Sequence, residues 1–271
     1  MKDLKNKVAL VTGAATGVGE ATSIAFAREG CDLVLATRKN AEGLKATAEK
    51  IRAMGRKALT VMADVSQRDD VEKLCQTAIK EFGRVDILMN NAGVGLTCEL
   101  KEMSLEDWEW IMGVNFWGSV YTLHYLLPHM IERKSGHIVN VSSGAGLMGL
   151  PAAGAYTASK FALVGLTEVL RTELERFGIG VTAVCPSVIR TNIFDSMPVK
   201  GFKKEVAQPP AIFRKTPARA AKQIVRAVRW NQAVLVITAN ARILYHIKRV
   251  SPALSRKVAR GIFKEVLKKK I

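Results

Sequence analysis

Cysteine is scarce in this 271-residue sequence: Cys31, Cys75, Cys98 and Cys185 stand far apart and form no Cys-x-x-Cys pair. That spacing argues against a disulfide framework and against a zinc site, and it leaves four reduced, structural thiols with no metal centre. No apolar run reaches the roughly 18 to 20 residues that a membrane-spanning helix needs. The opening Met1-Lys2-Asp3-Leu4-Lys5 leads into a strand without a signal-peptide apolar region, so a cytoplasmic, water-soluble body is expected. Aromatic residues make up only 6% of the chain. Trp108, Trp110, Phe116 and Trp117 read as core or subunit contacts, not as a base-stacking surface, and no nucleic-acid partner is expected. Acidic residues nearly vanish toward the end: residues 199 to 271 hold 19 Lys or Arg against 2 Asp or Glu, whereas residues 1 to 198 hold 22 of each. The whole net charge of +17 is therefore a C-terminal property.

What is present is a hydrophobic fraction of 48%, enough for the core of one large α/β domain. Lys7 to Thr12 is a short apolar run that reads as a buried strand. It ends in Thr12-Gly13-Ala14-Ala15-Thr16-Gly17-Val18-Gly19, and Glu20 to Arg28 looks helical. Strand, glycine turn and helix in that order form a dinucleotide-binding unit, in which Gly13, Thr16, Gly17, Val18 and Gly19 bring the backbone up to a pyrophosphate at a helix N-terminus. Strands are predicted at Asp32 to Ala36, Lys57 to Met62, Val85 to Met89, His137 to Val141, Gly180 to Cys185 and Ala233 to Thr238. Helices are predicted at Asn40 to Met54, Gln67 to Phe82, Trp108 to Leu127, Tyr156 to Phe177 and Ala218 to Trp230. In Tyr156-Thr157-Ala158-Ser159-Lys160 the four-residue spacing puts a phenol and an ammonium on one helix face, a turn apart. A fixed positive charge favours phenolate, which would suit Tyr156 to exchange protons near neutrality.

The spacing Thr-Gly-x-x-x-Gly-x-Gly, Asn90-Asn91-Ala92-Gly93 and the Tyr156/Lys160 pair occur in this order. Together they resemble the short-chain dehydrogenase/reductase family over about residues 5 to 240. The resemblance implies a single Rossmann-type domain, a doubly wound parallel sheet of about seven strands, here followed by a basic helical extension at 241 to 271. It implies Ser143, thirteen residues before Tyr156, as the serine that polarises a carbonyl, with Tyr156 as proton donor and Lys160 lowering the tyrosine pKa and holding the nicotinamide ribose. Asn115 is implied as the residue that distorts its helix and links Lys160 to water. Asp64 and Val65 would meet the adenine, with a simple helix N-cap by Asp64 or Ser66 as the other reading. Asn91, Ala92 and Gly93 would line the cofactor, and Pro186, Ile189 and Thr191 would hold the nicotinamide end. Ser187 stands where the family has glycine, and serine tolerates positive φ less well.

By the same resemblance Thr37 occupies the place of an NAD-type aspartate, and Arg38 follows it with a planar fork suited to a 2′-phosphate. NADP(H) is favoured, with NAD(H) as the alternative, and Arg38 with Lys39 as a solvated helix start is the plain reading. Residues 192 to 217 read as a mobile lid or as a surface connection. Arg242 to Val250 and Ala253 to Leu267 are basic amphipathic helices, which either lie on an anionic membrane or cap the cleft or a subunit contact. The expected activity is reduction of a hydrophobic carbonyl compound, lipid-, steroid- or retinoid-like, or oxidation of the matching alcohol. The alternatives are a 3-oxoacyl-carrier-protein reductase and a non-enzymatic nucleotide-sensing scaffold. A homodimer or homotetramer through the Trp108 to Leu127 and Tyr156 to Phe177 helices is expected, as is usual in the family.

Overall fold

The computed structural model describes residues 1–190, 196–207 and 215–270. Its strands are β1 (Val8–Thr12), β2 (Asp32–Thr37), β3 (Ala58–Met62), β4 (Ile87–Asn90), β5 (Gly136–Val141), β6 (Ile179–Cys185) and β7 (Val234–Val236). Among the described residues they form one seven-stranded sheet in the order β3-β2-β1-β4-β5-β6-β7, parallel throughout. A parallel sheet is covered on both faces, so its central strands carry no polar alternation, and every residue of β1, β4, β5 and β6 is buried.

The helices are α1 (Gly17–Arg28), α2 (Ala41–Arg52), α3 (Arg68–Phe82), α4 (Leu105–Met112), α5 (Gly118–Glu132), α6 (Gly154–Leu174), α7 (Pro217–Arg229), α8 (Ala239–Val250) and α9 (Pro252–Leu267). Phe26 of α1, Leu44 and Ile51 of α2, and Ile224 and Val228 of α7 pack on one face of the sheet. Val71 and Leu74 of α3, Leu123 and Leu126 of α5, and Leu170 of α6 pack on the other. Each such side chain contributes roughly 1.5–3 kcal/mol through burial. An ion pair between Arg229 and Glu29 ties α7 to α1 at the surface.

Polar residues within the sheet are paired with one another. Thr122 donates to Asn90 Oδ1 at 2.7 Å, Asn90 Nδ2 donates to Asn140 Oδ1 at 3.0 Å, and Asn140 Nδ2 donates to Thr167 Oγ1 at 3.0 Å. This satisfied chain joins α5, β4, β5 and α6, and fixes where the middle strands end.

The single helix expected from Trp108 to Leu127 is instead three segments. α4 begins with a capping box between Ser104 and Asp107, Gly113–Trp117 forms one π-helical turn, and α5 continues from Gly118. Two contacts explain the interruption. The Asn115 side chain is engaged with the backbone of Val94, and Gly118 lies so close to Val65 that a Cβ there would stand 2.9 Å from the valine side chain. Among the described residues, no helix is long and apolar enough to cross a membrane.

Candidate active site

The strand order turns back between β1 and β4, and the carboxyl ends of these strands open into a cleft of about 540 Å3. Such a switch point is where parallel α/β sheets hold ligands, because the connections on either side leave in opposite directions. The glycine turn forms one end. Gly13 and Gly17 adopt φ of +66° and +63°, which L side chains rarely do. Gly19 carries a different constraint: a Cβ would collide with the Gly13 carbonyl and stand 2.5 Å from Asn91 Nδ2. Asn91 secures the turn by donating from Nδ2 to Thr12 O at 2.8 Å and to Gly13 O at 3.1 Å. The Thr12 hydroxyl accepts the N–H groups of Asn91 and Ala92, each at 3.0 Å. Thr16 precedes α1 without capping it through its side chain, so the first-turn N–H groups face the cleft as an anion cradle. A dinucleotide pyrophosphate fits this arrangement.

At the other end α6 brings Tyr156 and Lys160 to the cleft on one face, as their spacing predicts. The loop before α6 is set by Ala152, whose φ of +57° costs on the order of 1–2 kcal/mol. Its carbonyl accepts the Cys98 N–H at 2.8 Å, which holds that conformation. Ser143 follows β5, accepts the Ala145 N–H at 3.1 Å and lies beside the Tyr156 phenol. Ser142 points inward and donates to the Lys160 carbonyl at 2.8 Å, fastening α6 to the strand end. The Lys160 ammonium donates to Val141 O at 3.0 Å and lies 5.8 Å from the Tyr156 ring centroid.

Asn115 spans the π-helical turn and the β4 exit. It accepts from Val94 N at 2.8 Å and donates to Val94 O at 2.9 Å and to Ser159 Oγ at 3.1 Å. A Cβ built on Gly93 would stand 3.3 Å from Asn115 Oδ1 and 3.4 Å from Lys160 Nζ, so these two groups converge on the backbone of Gly93.

The titration of the pair differs from the expectation. Burial raises the Tyr156 phenol above its ordinary value of 10, while the neighbouring Ser143 hydroxyl pulls weakly the other way. Burial also lowers Lys160, to about 8. The anticipated depression of the tyrosine by the lysine is absent because both groups are desolvated and the ammonium is directed at the Val141 carbonyl.

Most residues predicted to meet cofactor or substrate line this one cleft: Gly13, Thr16, Gly17 and Val18 at the turn, Thr37 at the β2 tip, and Asn91, Ala92 and Gly93 after β4. Pro186 and Ile189 line it after β6, with Ser143, Tyr156 and Lys160 between. Gly19 and Asn115 stand behind the lining and shape it. Arg38, Asp64 and Val65 lie off it. Arg38 donates to Asp64 Oδ2 at 3.2 Å, and Asp64 Oδ1 accepts the Ser66 N–H and hydroxyl, so neither Asp64 nor Ser66 caps α3, whose N-cap is Gln67. Val65 is buried against Gly118. Ser187 does not have positive φ, which removes the objection to serine there. Thr191 and much of the predicted lid, at 191–195 and 208–214, lie outside the described residues. From the described part, Met197 and Val206 line the cleft.

The C-terminal helices supply one wall of the cleft, the capping role that was one of the alternatives for their apolar faces. Ala241 and Tyr245 of α8 and Ile262 and Val266 of α9 line it together with Leu147, Met148 and Leu150. The tail is pinned at its end: Lys203 N donates to Lys269 O at 3.0 Å, and Lys270 Nζ bonds Glu99 at 2.5 Å. Lys248 donates to Leu147 O at 2.9 Å. The apolar run after Ser143, Leu147-Met148-Gly149-Leu150, was the available signal for the inner wall.

A family model described as short chain dehydrogenase matches residues 7–200. The chain is similar to a 3-oxoacyl-[acyl-carrier-protein] reductase of Synechocystis, 36% identical over 197 residues, covering 73% of this chain and 80% of that one. It is also similar to a probable oxidoreductase, EphD, of Mycobacterium tuberculosis, 35% identical over 261 residues, which are 92% of this chain and 44% of that protein. Among solved structures, a short chain dehydrogenase/reductase from Burkholderia phymatum in complex with NAD superposes with a TM-score of 0.82. It is 30% identical, with 92% of this chain and 96% of that chain covered.

Proposed function

The chain belongs to the short-chain dehydrogenase family, oxidoreductases acting on CH–OH groups with NAD(P)+, and on that premise we propose that it moves a hydride between NADP(H) and an apolar carbonyl compound or secondary alcohol. The observation that carries this reading is one cleft with an anion cradle at one end, Ser143, Tyr156 and Lys160 in the middle, and apolar walls from Leu147, Met148, Ile262 and Val266 beyond. Residues 1–240 form the catalytic unit in this reading, and 241–271 close the substrate end.

A bound reduced nicotinamide supplies the hydride. Ser143 donates a hydrogen bond to the substrate oxygen as charge grows on it. Tyr156 delivers the proton, and its phenol is in the protonated form this requires because burial keeps its pKa above 10. Lys160 is mostly cationic below about 8 and stabilises the phenolate left behind. Asn115 positions the Lys160 end of the site through Val94 and Ser159, from which a water relay to solvent would start. The test is NADPH oxidation against ketones graded by chain length. Turnover that rises with apolar length supports the reading, and equal turnover of short and long ketones sinks the apolar-substrate part.

The raised phenol pKa sets a pH prediction. Reduction needs neutral Tyr156 and is expected to stay level from pH 6 to 8, whereas alcohol oxidation needs phenolate and is expected to rise by up to about tenfold per pH unit over the same range. An oxidation rate independent of pH there would remove Tyr156 as the base.

For the cofactor, Arg38 supports NADP(H): its guanidinium stands beside the β2 tip, aligned by Asp64 at 3.2 Å. Arg38→Ala is expected to weaken NADPH by about tenfold to a hundredfold, the worth of a charge-assisted bond to phosphate, with little change for NADH. Equal losses in a fluorescence titration of the two cofactors would exclude a 2′-phosphate contact. The name of the Synechocystis relative favours one second reading, a carrier-linked 3-oxoacyl substrate, which activity on the carrier thioester but not on free ketones would establish. Trp117, at the end of the π-helical turn, stacked on Tyr121 yet 47% exposed, and Val169 of α6, 53% exposed, place apolar surface where a homo-oligomer contact is proposed.

A further inference from the structure

The inner faces of α8 and α9 are used by the cleft, so the apolar stripe of α9 is not free to enter a bilayer. What the hairpin turns outward is a different surface. With 3.6 residues per turn, Val258, Ile262 and Val266 fall on one arc of α9, with Leu254 at its outer edge and off the cleft. Arg256, Lys257, Arg260, Lys264 and Lys268 fall on the opposite arc. Among the described residues Arg256, Lys257, Arg260 and Lys264 form no ion pair, although Glu265 and Glu99 are engaged by Lys268 and Lys270.

On α8, Ala241 and Tyr245 face the cleft while Ile243 and Val250 turn away from it, 58% and 85% exposed. Leu254, just past the turn at Ser251-Pro252, is 46% exposed. Arg242 and Arg249 flank this outward apolar strip. The hairpin therefore displays apolar side chains at its tip and unpaired cations along its side. It is held in that attitude by Lys248 on Leu147 and by Lys270 on Glu99.

We propose that the outer face of the α8–α9 hairpin docks on an anionic lipid bilayer, with Ile243, Val250 and Leu254 entering the headgroup–acyl boundary and Lys257, Arg260 and Lys264 meeting lipid phosphates. Charge complementarity selects a polyanionic partner, and the exposed apolar tip selects a bilayer over an acidic soluble protein, for which cations alone would serve. Because the same helices roof the cleft, docking places the cleft wall built by Ile262 and Val266 next to the lipid. The proposal stands apart from the cofactor and substrate assignments, since it concerns residues that do not line the cleft.

The experiment is co-sedimentation of the full chain with vesicles of phosphatidylcholine alone and of phosphatidylcholine containing about a third phosphatidylglycerol. The expected result is binding to the anionic vesicles only, weakening as salt is raised. Each interfacial cation is worth about fivefold, so the triple variant K257Q/R260Q/K264Q is expected to bind on the order of a hundredfold more weakly. Val250→Asp is expected to lose about tenfold on its own. NADPH binding and melting temperature are expected to match the wild type in both variants, which separates loss of docking from loss of fold. Equal binding to both vesicle types, no binding to either, or equal binding by wild type and both variants would overturn the proposal. Retention of the wild type by an acidic acyl-carrier protein, with none by vesicles, would overturn it in favour of a carrier-docking face.

Discussion

Tyr156→Phe is expected to lower kcat for carbonyl reduction by about a thousandfold while leaving the dissociation constant of NADPH within about twofold. The substitution removes one oxygen from a partly buried side chain that lines the cleft and keeps the ring, so packing at the start of α6 is preserved. The lost group is the hydroxyl that lies beside Ser143 and Lys160 and that would deliver the proton to the substrate oxygen. Cofactor affinity resides mainly elsewhere, in the turn at Gly13 to Gly19 and in the backbone after β4, some of it held by Thr12 and Asn91. Stopped-flow oxidation of NADPH with a long-chain ketone measures the first quantity and fluorescence titration the second. Residual turnover within tenfold of wild type would assign the proton to another group.

Gly19→Ala is expected to have the second large effect, on the cofactor cradle itself. The added methyl would collide with the Gly13 carbonyl and press on Asn91 Nδ2 at 2.5 Å. Both neighbours are fixed: Gly13 by its left-handed backbone, Asn91 by its bonds to Thr12 and Gly13. Overpacking of this kind costs about 1–3 kcal/mol, which lowers the melting temperature by several degrees in a chain of this size. Because relief requires α1 to move away from β1, NADPH affinity is expected to fall by more than about tenfold as well. The same substitution at Gly261, a helical glycine with open space where its Cβ would be, is expected to be neutral or slightly stabilising. A Gly19→Ala protein that melts and binds NADPH like wild type would show that α1 can shift freely and that the turn is not a rigid cradle.

Much of this architecture is legible in the chain. Short apolar runs separated by amphipathic stretches specify a parallel sheet covered on both faces, because such strands must be apolar on both sides. A glycine turn between the first strand and the first helix, and a tyrosine and lysine four residues apart, are local patterns set by backbone conformation and helical period. Those patterns survive folding unchanged. The concentration of cations after residue 199 is likewise a property of composition alone.

Other features depend on contacts between residues far apart in the chain. The π-helical turn at Asn115 exists because its amide meets Val94, a residue on another segment, so periodicity alone predicted one continuous helix. The alignment of Arg38 by Asp64 is likewise a contact between two separate strand ends. The titration of Tyr156 and Lys160 is set by burial, which raises one and lowers the other, whereas their spacing reports only that they share a face. For the tail, an amphipathic pattern states that one face must be covered but not by what. Packing of Tyr245, Ile262 and Val266 into the cleft wall answered that, since burial of an apolar stripe is decided by the nearest complementary surface and not by the stripe.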